Sequence, residues 1–171
     1  VTSALLGLWM LAVALLIVGT AFRGLLSPWL WWPVLLTGMG LAGWYSRERL
    51  NAMRIPARLD GRSLVWVIVA AAAAIWLAGA TVPPGYVGAT DRYDVLEYHL
   101  QIPREFFNAG QIGPTWHNCY GFYPLGVETL FLLGMTLRGG AYEGMYLAKL
   151  MHGMFGILAV IAVYTSLKRQ E

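Results

Sequence analysis

Charge is what this sequence has least of. Only 12% of its 171 residues are Asp, Glu, Lys or Arg, against 58% hydrophobic residues, and the mean hydropathy is +0.57. A water-facing domain carries about a quarter charged residues, so the shortage excludes a soluble enzyme, and the apolar excess excludes a disordered chain. A single cysteine, Cys119, excludes a disulfide scaffold. Internal repeats and a low-complexity tail are also missing, and no basic stretch precedes the apolar block Val1 to Phe22, which is too long for a secretory signal. What is left is a membrane protein. Its net charge of +3 and pI near 9.2 do not call for nucleic acid, because basic residues have a more ordinary use as topology markers.

The apolar residues fall into blocks free of Asp, Glu, Lys and Arg: Val1 to Phe22, Gly24 to Ser46, Ser63 to Thr90 and Leu150 to Leu167. Crossing a hydrocarbon core takes about 20 apolar residues, so each block is long enough to cross once. The expected fold is an all-α polytopic membrane protein with four transmembrane helices at about 4–22, 28–46, 64–82 and 146–167. A fifth apolar stretch, Tyr123 to Leu137, is interrupted by Glu128 and runs for only about 15 residues, which suits a re-entrant or short membrane segment better than a fifth span.

Loop charges orient these helices. The segment Arg47 to Arg62 holds Arg47, Arg49, Arg54, Arg58 and Arg62 against Glu48 and Asp60, a cytoplasmic signature. The connection from Pro83 to Tyr120 sets Asp91, Asp94, Glu97 and Glu105 against Arg92 and Arg104, as suits the outer face. With Tyr123 to Leu137 only half inserted, Lys168 and Arg169 also end inside. The expected location is a bacterial-type inner membrane with the 83–142 loop outside. Tryptophans such as Trp29, Trp31 and Trp32 fit interfacial anchoring, and the spacings Gly38 to Ala42, Ala70 to Ala74 and Gly153 to Gly156 suit close helix contacts.

The chain divides into a helix pair with its basic loop, residues 1–63, and a module of helix, outer loop and helix, residues 64–171. The outer loop is too long and too aromatic for a plain hairpin. Within it, Val95, Leu96, His99, Leu100, Ile102, Phe106 and Phe107 form an apolar face, with Asp94, Glu97, Gln101 and Arg104 largely on another. That pattern is an amphipathic helix suited to the membrane surface, bent or interrupted near Pro103 and ended by Asn108 and Gly110.

These residues carry a resemblance. Tyr93-Asp94, then Tyr98-His99-Leu100, Pro103, Phe107, Gly110-Gln111-Ile112, then Tyr123-Pro124-Leu125 entering an apolar segment, and a last helix closing on a basic pair, resemble the first outer loop of GT-C glycosyltransferases. The likeness is to the branch containing dolichyl-phosphate-mannose protein mannosyltransferases and aminoarabinose lipid A transferases, and it covers roughly residues 64 to 169. It implies transfer of a sugar from a polyprenyl-phosphate donor at the outer face, with Asp94 matching the acidic residue at the reaction centre. Members of that superfamily carry many more membrane helices, so the resemblance makes this chain an N-terminal portion whose partners include the helices that follow, the donor and membrane lipid. A divalent cation serves some members and not others; no Asp-x-Asp cluster here demands one, and no metal ligands are assigned.

A carboxylate at Asp94 suits a general base that takes the acceptor hydroxyl proton, while phosphate departure calls for cations or oriented donors. Arg92, His99, Arg104 and Lys149 are the available ones, with Tyr98, Tyr123 and Glu128 completing the substrate-binding candidates. The chain departs from the family where Val95 replaces a common glutamate, Glu97 an arginine and Tyr123 a lysine, which argues against aminoarabinose transfer. Plainer readings stand beside these. Asp94-x-x-Glu97 also reads as a capping box, His99 as a packed surface residue, Glu128 as a water-facing residue and Lys149 as a snorkelling one. His117 and His152 lack ligand-spaced partners. The competing function is a non-catalytic integral membrane accessory or partner-binding protein.

Overall fold

The computed structural model describes residues 2–52, 63–83 and 93–167, and every regular element among them is helical. In chain order these are α1 (Thr2–Ala21), α2 (Pro28–Ala52), α3 (Ser63–Ala80), a π-helical turn (Val95–His99), α4 (Gln101–Ala109), a 3-10 turn (Cys119–Phe122), α5 (Gly126–Arg138) and α6 (Ala141–Leu167). The boundaries follow local chemistry. Proline at the first position of α2 costs no hydrogen bond, since that amide is unpaired in any helix. Gly110 and Gly139 end α4 and α5 in the left-handed conformation, at φ 65° and 68°, and their amides return to carbonyls one turn back.

Among the described residues one helix, Ala141–Leu167, is long and apolar enough to cross a membrane; Leu5–Ala21 and Trp66–Ala80 are shorter apolar helices. Large apolar side chains stand exposed along α1, α2, α3 and α6, including Trp9, Ile17, Met39, Ile75 and Val163.

The fifth apolar stretch is the centre of the packing. At 13 residues α5 is only about 20 Å long, too short for a crossing. Every residue from Glu128 to Leu137 is buried, enclosed by α1, α2, α4 and α6. It is therefore not an interfacial segment with a wet side: a short helix apolar all round finds its solvent in protein. Leu132 and Leu133 join Leu15 of α1, Trp31 of α2, and Ile102 and Phe106 of α4 in one core cluster. The apolar stripe of α4 thus meets protein, with Ile102, Pro103 and Phe106 all buried.

Trp31 is likewise a core residue rather than an interfacial anchor, 3% exposed with its Nε1 donating to the Leu25 carbonyl at 3.0 Å. Trp32 Nε1 donates to the Leu137 carbonyl at 3.0 Å, and Gly24 and Ile112 amides bond the Gly110 and Gly19 carbonyls, each at 2.8 Å. The helix pair before residue 63 and the described segment 93–142 therefore share one core.

Helices α5 and α6 approach backbone to backbone. A Cβ on Gly144 would lie 2.2 Å from the Met135 Cα, so only glycine lets the two backbones meet there. Gly153 makes the contact expected of it, lying under the Trp76 ring of α3, whereas Gly38 and Gly156 face open space.

Candidate functional site

The π-helical turn decides which way the side chains between α3 and α4 point. The Leu100 amide bonds the Val95 carbonyl at 3.0 Å, five residues back instead of four. This extra residue offsets Tyr98 and His99 from the face that continues into Ile102 and Phe106. His99 reaches the first turn of α5, where its Nδ1 lies 2.6 Å from Glu128 Oε1. An ionised carboxylate only accepts, so Nδ1 donates and Nε2 is the ring nitrogen left for another partner. Glu128 is 6% exposed, and its position in the first turn of α5 sets its charge against the positive end of the helix dipole.

Aromatic rings extend from this pair. Tyr98 lies against His99 with centroids 3.9 Å apart, stacks on Tyr120 at 5.2 Å and meets the edge of Tyr123 at 6.3 Å. Burial, and after it the carboxylates of Glu128 and Asp94 and the neighbouring Tyr123, push the Tyr98 phenol above its ordinary value of 10.0. Tyr120 is pushed up chiefly by its neighbour Tyr93. Asn118 holds the 3-10 turn in place: its Nδ2 donates to the Glu97 carbonyl at 2.7 Å and its Oδ1 accepts from the Tyr120 amide at 3.0 Å.

On the other side of His99 is a cavity of about 500 Å³ between α3, the π-helical turn, α5 and α6. Trp76, Val82, Val95, Leu100 and Phe131 make its apolar walls, and His99, Lys149 and His152 are its ionisable groups. Lys149 Nζ donates to the Gly79 carbonyl at 2.9 Å and to that of Val82, so a cation closes the negative end of α3 at the cavity wall. An apolar pocket with a few convergent polar groups is the general form of a small-molecule site.

Comparison with protein-family models, curated proteins and solved structures returns no match.

Of the residues singled out by sequence, Tyr98, His99, Tyr123 and Glu128 come together, and Lys149 shares the cavity with His99. Asp94 stands exposed beside them, in right-handed helical conformation with no side-chain capping bond, so the capping-box reading fails. Glu128 does not face water. Arg104 lies apart, exposed on a separate hollow with Leu96, Asn108 and Tyr142. Arg92, Asp91, the loop arginines Arg54, Arg58 and Arg62, and the Lys168–Arg169 pair lie outside the described residues. Among the described residues, no three His, Cys, Asp or Glu side chains converge as a metal site. Sequence reasoning missed Trp76 and Tyr120 as parts of the site; the signal for Trp76 was its position four residues short of the end of α3, at the level of Lys149.

Proposed function

We propose that this chain is a multi-pass membrane module of a glycosyltransferase that takes its sugar from a polyprenyl-phosphate donor at the outer face of the plasma membrane. The observation that carries the reading is the cavity, whose apolar walls are built partly from α3 and α6 and whose ionisable groups are His99, Lys149 and His152. A ligand with an apolar chain and an anionic head matches both parts. The exposed apolar faces of α1, α2, α3 and α6 support the multi-pass arrangement, since a monomer in water does not expose contiguous apolar surface on that scale. Four crossings with the 83–142 loop outside are the arrangement we adopt.

In the proposed reaction the acceptor oxygen bonds the anomeric carbon as the bond from that carbon to the phosphate oxygen breaks. The electron pair leaves with the lipid phosphate, and the acceptor proton passes to Asp94. Asp94 is exposed and directly precedes Val95 of the cavity wall, so acceptor can reach it from the aqueous side. The test is transfer from a polyprenyl-phosphate sugar in membranes holding the full-length protein. Asp94→Asn should lower the rate by about 10²- to 10⁴-fold, the range for a general base, with expression unchanged. Unaltered transfer removes Asp94 from this role. Donor binding without transfer in the unsubstituted protein is the signature of the alternative, a lipid-binding accessory protein.

A further inference from the structure

We infer that His99 is the phosphate-binding residue of the cavity and Glu128 its positioning residue. The inference rests on the donor class proposed above and adds which side chain grips the phosphate. Glu128 is buried and holds Nδ1 at 2.6 Å, which fixes the ring's orientation and leaves Nε2 as the only ring nitrogen able to serve a ligand. The ring is braced from one side by Tyr98 at 3.9 Å, and the residue lines the cavity that also holds the Lys149 ammonium and His152. In its imidazolium form, with Glu128 as the counter-charge at Nδ1, the ring donates from both nitrogens and is preorganised: a ligand oxygen meets an Nε2–H whose direction is already set. When the anomeric bond breaks, the phosphodiester anion becomes a phosphate monoester dianion, and a donor at Nε2 stabilises the charge that develops. Neighbouring apolar walls suit the first isoprene units of the lipid.

Two substitutions separate this role from a structural one. Asn at position 99 reproduces the Nδ1 donor and can keep the bond to Glu128, but it has nothing at the Nε2 position. Gln places its amide near Nε2. Binding of polyprenyl phosphate, of polyprenol and of inorganic phosphate is measured on the full-length protein in detergent, together with its melting temperature. We expect His99→Asn to weaken polyprenyl phosphate about 10- to 100-fold, as loss of a charge-assisted hydrogen bond should, with polyprenol binding and melting unchanged. His99→Gln should recover part of the loss, and inorganic phosphate alone should bind far more weakly than the lipid. If His99→Asn binds polyprenyl phosphate like wild type, or loses both lipids equally, the inference is overturned. Inorganic phosphate binding as tightly as the lipid overturns the lipid assignment. Failure of the unsubstituted protein to bind polyprenyl phosphate overturns the proposed function as well, whereas binding without transfer overturns that function alone.

Discussion

The α5–α6 contact sets the position of Glu128, so its tolerance to volume is the most direct probe of the fold. In Gly144→Ala the new Cβ would stand 2.2 Å from the Met135 Cα and 2.7 Å from its amide nitrogen. Carbon atoms rest about 3.5–4.0 Å apart, so the helices must part by about 1.3 Å or more. The obstructing atoms are backbone and cannot rotate aside, which puts the strain at the upper end of the overpacking range, about 3 kcal/mol. Replacing a helical glycine by alanine recovers about 1 kcal/mol in propensity, leaving a net loss of about 2 kcal/mol. For a chain of this size that lowers the melting temperature by about 4–8 °C. The control lies in the same helix: Gly156 has nothing within 4 Å of its would-be Cβ, so Gly156→Ala should melt at or above wild type. Circular-dichroism melts of both variants in one detergent make the comparison. If Gly144→Ala melts with Gly156→Ala, the two helices do not meet as described and the placement of Glu128 loses its support.

Two further predictions do not involve the α5–α6 contact. Cys119 is exposed, and in the proposed orientation it lies on the outer face, so a membrane-impermeant thiol reagent should label it in intact spheroplasts; reaction only after lysis would invert that orientation. Tyr98 titrates above 10.0, so its contribution to stability is complete below that pH and is lost as the pH rises through its folded-state value. A phenolate absorbance titration should accordingly lose a late-ionising component in Tyr98→Phe, and loss of an ordinary component would refute the assignment.

Some of this architecture is legible in the sequence and some is not, for physical reasons that differ by element. Gly110 announces the end of α4 because left-handed backbone strongly favours glycine. Tyr123 to Leu137 announces burial but not its medium: a short helix apolar on every side is equally satisfied by lipid or by protein, and only the enclosing helices decide. Asp94 and Glu97 have the spacing of a capping box, yet helical backbone begins before Asp94 and the cap never forms. His99 and Glu128 were each visible as polar residues in apolar surroundings. That they meet across 29 positions depends on a backbone irregularity that no residue type demands.

That irregularity makes the site sensitive to chain length in a way its composition does not reveal. One residue of slack between Val95 and Leu100 keeps the ring of His99 and the core-filling side chains of Ile102 and Phe106 in register with different neighbours. Removing a residue there would turn the following helix by about 100° relative to what precedes it, so either imidazole or core would be misdirected. Substitution can vary this segment more freely at the exposed positions Leu96 and Glu97. Insertion and deletion cannot, and the spacing from Asp94 to Phe106 is therefore the part of the segment between α3 and α5 most strictly bound to a single length.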